Sequence, residues 1–177
     1  MARSATIDRR TGETEVRVEL ELDGSGAGSR ETGVGFLDHM LDLLARHGKL
    51  GLVVEAAGDL DTGAHHTVED VGIVLGQALD EALAECAIDL SGRPHTVFNA
   101  DLPKAQVAGF ETELAEEFFR AVANSAKLTL HINVRYGSNV HHMIEGAFKA
   151  FARALRLAVS IDPEETGVPS TKGTLSE

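Results

Sequence analysis

The chain repeats itself, and a repeat constrains the fold more than any local propensity. Gly35-Phe36-Leu37-Asp38-His39, Lys49-Leu50-Gly51-Leu52-Val53-Val54 and His65-His66-Thr67-Val68-Glu69 form one set of landmarks. Gly109-Phe110-Glu111-Thr112-Glu113, Lys127-Leu128-Thr129-Leu130-His131-Ile132 and His141-His142-Met143-Ile144-Glu145 form a second set in the same order. The offsets between the sets are 74, 78 and 76 residues, so only small loop changes separate the copies. An earlier pair, Glu21-Leu22-Asp23-Gly24 and Asp89-Leu90-Ser91-Gly92, extends the match. The repeat implies two homologous half-domains sharing one core, residues 1–86 and 87–177, the second ending in a C-terminal tail.

Within each half the pattern reads strand, helix, strand, helix. Thr14 to Leu22 places Val16, Val18, Leu20 and Leu22 at period two, which predicts a half-buried strand. Asp23-Gly24-Ser25-Gly26 reads as a turn. Phe36, Met40, Leu43, Leu44 and His47 share one side of a helix that Gly48 can cap. Leu50 to Glu55 reads as the next strand. Val68, Val71, Leu75, Ala78 and Leu79 recur at three and four, the mark of an amphipathic helix, and Ile144, Phe148, Phe151, Ala152, Leu155 and Val159 repeat it. The helix-like run from His66 to Cys86 has no clear stop signal, and a strand is expected from Ala87. The expected fold class is α+β of ferredoxin-like, ββαβα type, with helices packed on one face of a mostly antiparallel sheet.

Composition narrows the function classes. The 177 residues carry 16 Lys+Arg against 28 Asp+Glu, a net charge of −12 with His neutral. Such an acidic chain is not a general nucleic-acid binder. Cys86 is the only cysteine, so neither an intrachain disulfide framework nor a thiolate metal site is expected. No signal-like segment opens the sequence, and no apolar run approaches a membrane span. A cytoplasmic globular protein is therefore expected. Eight histidines beside one cysteine point to something sharper.

Each His-His-x-x-Glu motif opens a predicted helix. Positions three and four apart share a helix face, so Glu69 can stand near His65 or His66, and Glu145 near His141 or His142. Adjacent histidines point about a quarter-turn apart, so a pair can serve two metal ions. Imidazole with carboxylate and no sulfur suits Mn, Fe, Ni, Zn or Co. One such motif reads as surface histidines; two at equivalent repeat positions read as metal ligands. His39 in a helix and His131 on a strand offer further nitrogens, and Val53 stands at the position equivalent to His131. His47 is expected to favour a helix C-terminus, and His95 to face solvent. Pro169-Ser170-Thr171-Lys172-Gly173 groups hydroxyls, an ammonium and a glycine as a phosphate loop would, and Arg93 sits on a turn suited to a bidentate grip.

Phe36-Leu37-Asp38-His39-Met40-Leu41, His65-His66-Thr67-Val68-Glu69-Asp70, Asp89-Leu90-Ser91-Gly92-Arg93-Pro94, His141-His142-Met143-Ile144-Glu145 and Pro169-Ser170-Thr171-Lys172-Gly173 together resemble the imidazoleglycerol-phosphate dehydratase family. The resemblance runs from about Arg9 to Leu175, with the motifs in the family's order. It implies a carbon–oxygen lyase of histidine biosynthesis that dehydrates imidazole glycerol phosphate to imidazole acetol phosphate. The implied route passes through a metal-bound imidazolate and a diazafulvene-like intermediate. It also implies a duplicated fold, two Mn2+ per active site, and a homo-oligomer of 24 subunits with sites between them. The resemblance places metal ligands at His39, His65, His66, Glu69, His131, His141, His142 and Glu145. It places substrate contacts at Glu13, Arg93, Ser170, Thr171 and Lys172, and catalytic carboxylates at Glu13, Glu69 and Glu145.

The chain departs from that family in two places. A further stretch with a phosphate-holding arginine is expected between Leu79 and Asp80 and is absent, and Leu43 stands where the family carries a glutamine. The residues themselves leave two other readings open. One is a two-metal hydrolase acting on a phosphorylated small molecule. The other is a metal-binding shell protein, against which the clustered Ser-Thr-Lys and Arg93 speak.

Overall fold

Thr14–Glu21 forms β2, with its period-two apolar side chains Val16, Val18 and Leu20 buried, as the alternation predicts. The computed structural model that shows this describes residues 3–84 and 93–161. Strand β2 pairs antiparallel with β1 (Ser4–Arg10) and with β4 (Gly51–Gly58). The short β3 (Arg30–Glu31) runs parallel to β4 on its other edge, giving the order β1-β2-β4-β3. Helix α1 (Gly35–Gly48) packs against β3, and α2 (His65–Ala84) lies across β1, β2 and β4. A single 3-10 turn, Leu60–Thr62, joins β4 to α2.

The second half repeats the plan with less sheet. It holds β5 (His95–Ala100), the two-residue strands β6 (Gln106–Val107) and β7 (Phe110–Glu111), α3 (Leu114–Ser125), β8 (Thr129–Val134) and α4 (Val140–Ala158). The described β5–β8 pairing is parallel, with His95 opposite Thr129 and Val97 opposite His131. It corresponds to β3 on β4. Antiparallel pairing joins β1 to β2, β2 to β4 and, in the second half, β6 to β7, so the mixed helix-and-strand class is as expected. Among the described residues β8 has no counterpart of β2. Asp89-Leu90-Ser91-Gly92, which the repeat aligns with the end of β2, lies outside the described residues, as do the strand expected at Ala87 and the boundary at 86/87. A groove of about 810 Å3 runs along β8 and α4, lined by Leu130, Ile132, Met143, Ala147, Phe151 and Ala154 among others.

The four helices pair across the halves, α1 on α4 and α2 on α3. Phe118, Phe119, Phe148 and Phe151 fill the joint core, with the Phe119 and Phe148 ring centroids 4.6 Å apart. The α2–α3 crossing is close because α2 presents Gly72 and Gly76, one turn apart. A Cβ at Gly76 would stand 2.6 Å from Ser125 Cβ and 2.7 Å from the Val122 carbonyl oxygen. A second tie joins the sheet to α4. Buried Arg3 donates from Nε to Asp23 at 2.8 Å and from Nη1 to the Val159 carbonyl, and Arg156 donates to the Leu22 carbonyl at 3.2 Å.

The α1 cap differs from expectation. Gly48 remains helical, and the left-handed residue is Lys49, at φ 52°, whose N–H bonds the Ala45 and Arg46 carbonyls. Leu50 then closes on the Ala45 carbonyl at 2.9 Å. The repeat copies the device: Lys127 has φ 51°, and Leu128 closes on the Ala123 carbonyl at 3.0 Å. The hydrogen-bond closure after the helix, rather than glycine's freedom, sets these conformations.

Two stability predictions follow from this packing. Gly76→Ala lowers stability by about 1–2 kcal/mol, because overpacking outweighs alanine's helix propensity, whereas Gly146→Ala, with nothing within 4 Å of the new methyl, raises it by about 0.5–1 kcal/mol. Urea midpoints at equal protein concentration check both. The Arg3 hydrogen bond holds the Asp23 carboxyl below its ordinary value of 3.8. A depressed carboxyl stabilises the fold fully above the unfolded value, and that stabilisation fades as pH falls through the folded one. Asp23→Asn is therefore less stable than the parent at pH 7, and the deficit closes in acid below the ordinary carboxyl range.

Candidate active site

The second His-His-x-x-Glu motif becomes a site because α4 starts where it does. Asn139 caps the helix, its side-chain oxygen accepting the His142 N–H at 3.2 Å. His141 and Glu145 then fall one turn apart on one face, with His141 Nε2 3.5 Å from Glu145 Oε2. The α1–α4 contact brings His39 from the start of α1 to the same place. The His39 and His141 rings lie 5.9 Å apart, and Phe36 packs edge-on against His141 at 5.2 Å. One ligand atom from each of His39, His141 and Glu145 lies within 4.8 Å of the others.

Those donors fit a divalent ion. Nitrogen and oxygen ligands held about 2.1 Å from one ion stand roughly 3–4 Å apart, so the His141–Glu145 spacing needs little change and His39 a small side-chain rotation. Glu145 divides its oxygens: Oε1 accepts from Lys149 Nζ, while Oε2 faces His141. The Lys149 hydrogen bond, then the Lys149, His141 and His39 charges, hold the Glu145 carboxyl below its ordinary value. It is ionised, as a ligand must be.

The first motif is arranged differently. His65 and Glu69 are one turn apart at 3.8 Å, both about half exposed. The position that repeats His39 is Glu113, the N-cap residue of α3, which pairs with Lys104 at 2.6 Å, so no imidazole stands there. His66 instead forms a second group with Glu13 and Asp59. Its Nδ1 is 3.1 Å from Asp59 Oδ2 and 3.7 Å from Glu13 Oε2. Glu13 sits on the β1–β2 turn, where the Thr11 hydroxyl accepts the backbone N–H groups of Glu13 and Thr14 at 3.2 and 2.9 Å. Buried Asp70, one residue beyond the motif, anchors that turn by accepting from the Thr14 hydroxyl and pairing with Arg9 at 2.5 Å. The Asp59 hydrogen bond raises the His66 pKa above its ordinary value. Asp59 is held below its own, first by Thr62 and then by His66.

The remaining expected residues are dispersed. His131 is exposed on β8 with its ring 6.0 Å from that of His95, which is exposed as expected. His131 and His142 line the same groove and join neither three-residue group. His47 lies in the last turn of α1. Arg93 is exposed, and its carbonyl accepts from the Thr129 hydroxyl at 3.1 Å. Ser170, Thr171 and Lys172 lie outside the described residues. Sequence reasoning missed Asp59. Its only signal was a carboxylate at the end of β4, seven residues before His66, with no equivalent in the second copy. Removing one candidate ligand of the α1–α4 group tests its chemistry: Glu145→Gln is expected to weaken divalent-cation binding more than tenfold, read by equilibrium dialysis with Mn2+, with the fold retained.

The family model described as imidazoleglycerol-phosphate dehydratase matches residues 32–83 and 78–155. The curated imidazoleglycerol-phosphate dehydratase of Geobacter metallireducens is 51% identical over 195 positions, covering 99% of this chain and 100% of that protein. That of Symbiobacterium thermophilum is 53% identical, covering 98% of this chain and 93% of that protein. The crystal structure of the Staphylococcus aureus enzyme superposes with a TM-score of 0.77 at 40% identity, covering 88% of this chain and 97% of that one. The Pyrococcus furiosus structure gives 0.79 at 32% identity, covering 96% and 100%. The Geobacter alignment spans 195 positions against 177 residues here, so at least 18 of its positions have no counterpart in this chain. The two family-model matches overlap at 78–83, where the missing stretch was expected. By matched motifs, length and fold, the chain belongs to the imidazoleglycerol-phosphate dehydratase family.

Proposed function

We propose that this chain dehydrates imidazole glycerol phosphate to imidazole acetol phosphate, the histidine-biosynthetic reaction for which its relatives are named. The observation that carries the reading is the His39–His141–Glu145 group, an imidazole and carboxylate donor set assembled from both halves. Bound Mn2+, two per active site, would lower the N–H pKa of the substrate imidazole and so favour loss of the adjacent hydroxyl. The reaction needs such help because the C–H to be broken adjoins no carbonyl.

The protein's own residues supply the rest. His39, His141 and Glu145 hold one part of the centre. His65, His66 and Glu69 supply ligands from a different part of the surface, with His131 and His142 on the groove between β8 and α4. The eight ligands fall into separate groups within one chain. That supports active sites completed between copies of the chain; a 24-subunit homo-oligomer is what the family resemblance implies. Glu13, on an exposed turn with its Oε2 3.7 Å from His66 Nδ1, takes the proton from the carbon next to the departing hydroxyl or orients the group that does. The enol so formed tautomerises to the ketone. Arg93 and the tail residues Ser170, Thr171 and Lys172 bind the phosphate. The two half-domains divide near residue 86, and the enzyme works in the cytoplasm on a phosphorylated imidazole, without nucleic acid or membrane. Among the described residues no helix is long and apolar enough to cross a membrane.

Metal-stripped protein assayed for the acetol product tests the reading. Turnover is expected only after Mn2+ is restored; inorganic phosphate release or ring opening instead would identify a hydrolase. Glu13→Gln is expected to bind Mn2+ as the parent does and to lose about 10²–10⁴-fold in kcat. Unchanged turnover removes Glu13 from the mechanism.

A further inference from the structure

The two histidine pairs are not equivalent, although the repeat aligns them. The His66 imidazole has a carboxylate on one side: Nδ1 lies 3.2 Å from Asp59 Oδ1 and 3.1 Å from Oδ2. An ionised carboxylate only accepts, so Nδ1 carries the hydrogen and the unshared pair is left on Nε2. Asp59 is itself fixed. It follows the last residue of β4, and the Thr62 hydroxyl lies 2.8 Å from its Oδ2 while the Thr62 N–H bonds the Asp59 carbonyl at 2.9 Å across the 3-10 turn. The second copy has Arg135-Tyr136-Gly137-Ser138 in the corresponding segment, with no acidic residue. Among the described residues no carboxylate stands against His142.

We infer that Asp59 is a positioning residue that fixes the tautomer and ring direction of His66 so that Nε2 is the metal-binding atom, an aid that His142 does not share. The inference rests on the reading of His66 as a metal ligand. A carboxylate behind a ligand imidazole raises its basicity and pays in advance the cost of orienting it, and loss of such a partner weakens metal binding about 10–100-fold. Glu13, the other carboxylate near Nδ1, is farther away at 3.7 Å and more than half exposed. It is therefore the poorer orienter and stays available to substrate.

Mn2+ titration of the full-length assembled protein, with free Mn2+ counted by electron paramagnetic resonance, resolves the classes of site. Asp59→Ala is expected to weaken one class 10–100-fold and leave the other unchanged. Asp59→Asn, which keeps an acceptor for the Nδ1 hydrogen, loses less than tenfold. Thr62→Val, which frees the Asp59 side chain without touching the imidazole, falls between the parent and Asp59→Ala. If Asp59→Ala fails to assemble, Thr62→Val and Asp59→Asn decide alone. Parent-like affinities in every variant overturn the inference. So does a loss in Asp59→Asn as complete as in His66→Ala, which would make Asp59 a direct ligand. Parent-like Mn2+ binding in His66→Ala is a different failure and overturns His66 as a ligand.

Discussion

Each helix buries its apolar stripe on a helix of the opposite half, α1 on α4 and α2 on α3. Neither half holds a closed core: the sheet of the first covers α2, but α2 needs α3, and α1 needs α4. Gly72 and Gly76 let α2 and α3 approach until side-chain and backbone atoms leave no room for a methyl group. Phe118, Phe119, Phe148 and Phe151 fill what remains. The chemistry depends on the same crossing. His39 reaches His141 and Glu145 only because α1 and α4 lie together with their N-terminal ends at one place.

The crossing also explains why the repeat does not make two identical centres. A helix start carrying His39 meets one His-x-x-x-Glu pair, while a helix start carrying Glu113 stands at the equivalent position for the other. Glu113 is engaged by Lys104. The first motif turns instead to carboxylates from loops, Asp59 after β4 and Glu13 on the β1–β2 turn. The two stretches share a frame of helix and strand, and they differ at the aligned positions of His39 and Glu113.

Much of the architecture was legible because it rests on periodicity. The Val16-Val18-Leu20 alternation and the helical stripes of α1, α2 and α4 each appear where the pattern puts them. The helix cap was not, because Lys49 takes a left-handed conformation imposed by hydrogen-bond closure that no residue preference announces. Nor was the parallel β5–β8 pairing, which follows from the connection between distant strands. At the site, paired motifs marked candidate metal ligands, but which of them meet is a property of helix packing. Asp59 went unseen because a lone carboxylate carries no spacing. The absent stretch near residue 80 was legible only through the family pattern.

In the proposed enzyme, packing between the halves builds a metal centre from residues far apart in the chain. Anomalous diffraction at the manganese edge from a crystal of the Mn2+-loaded protein tests it most directly. A peak is expected about 2.1 Å from the imidazoles of His39 and His141 and from Glu145 Oε2. Peaks that none of these three residues approaches would contradict it.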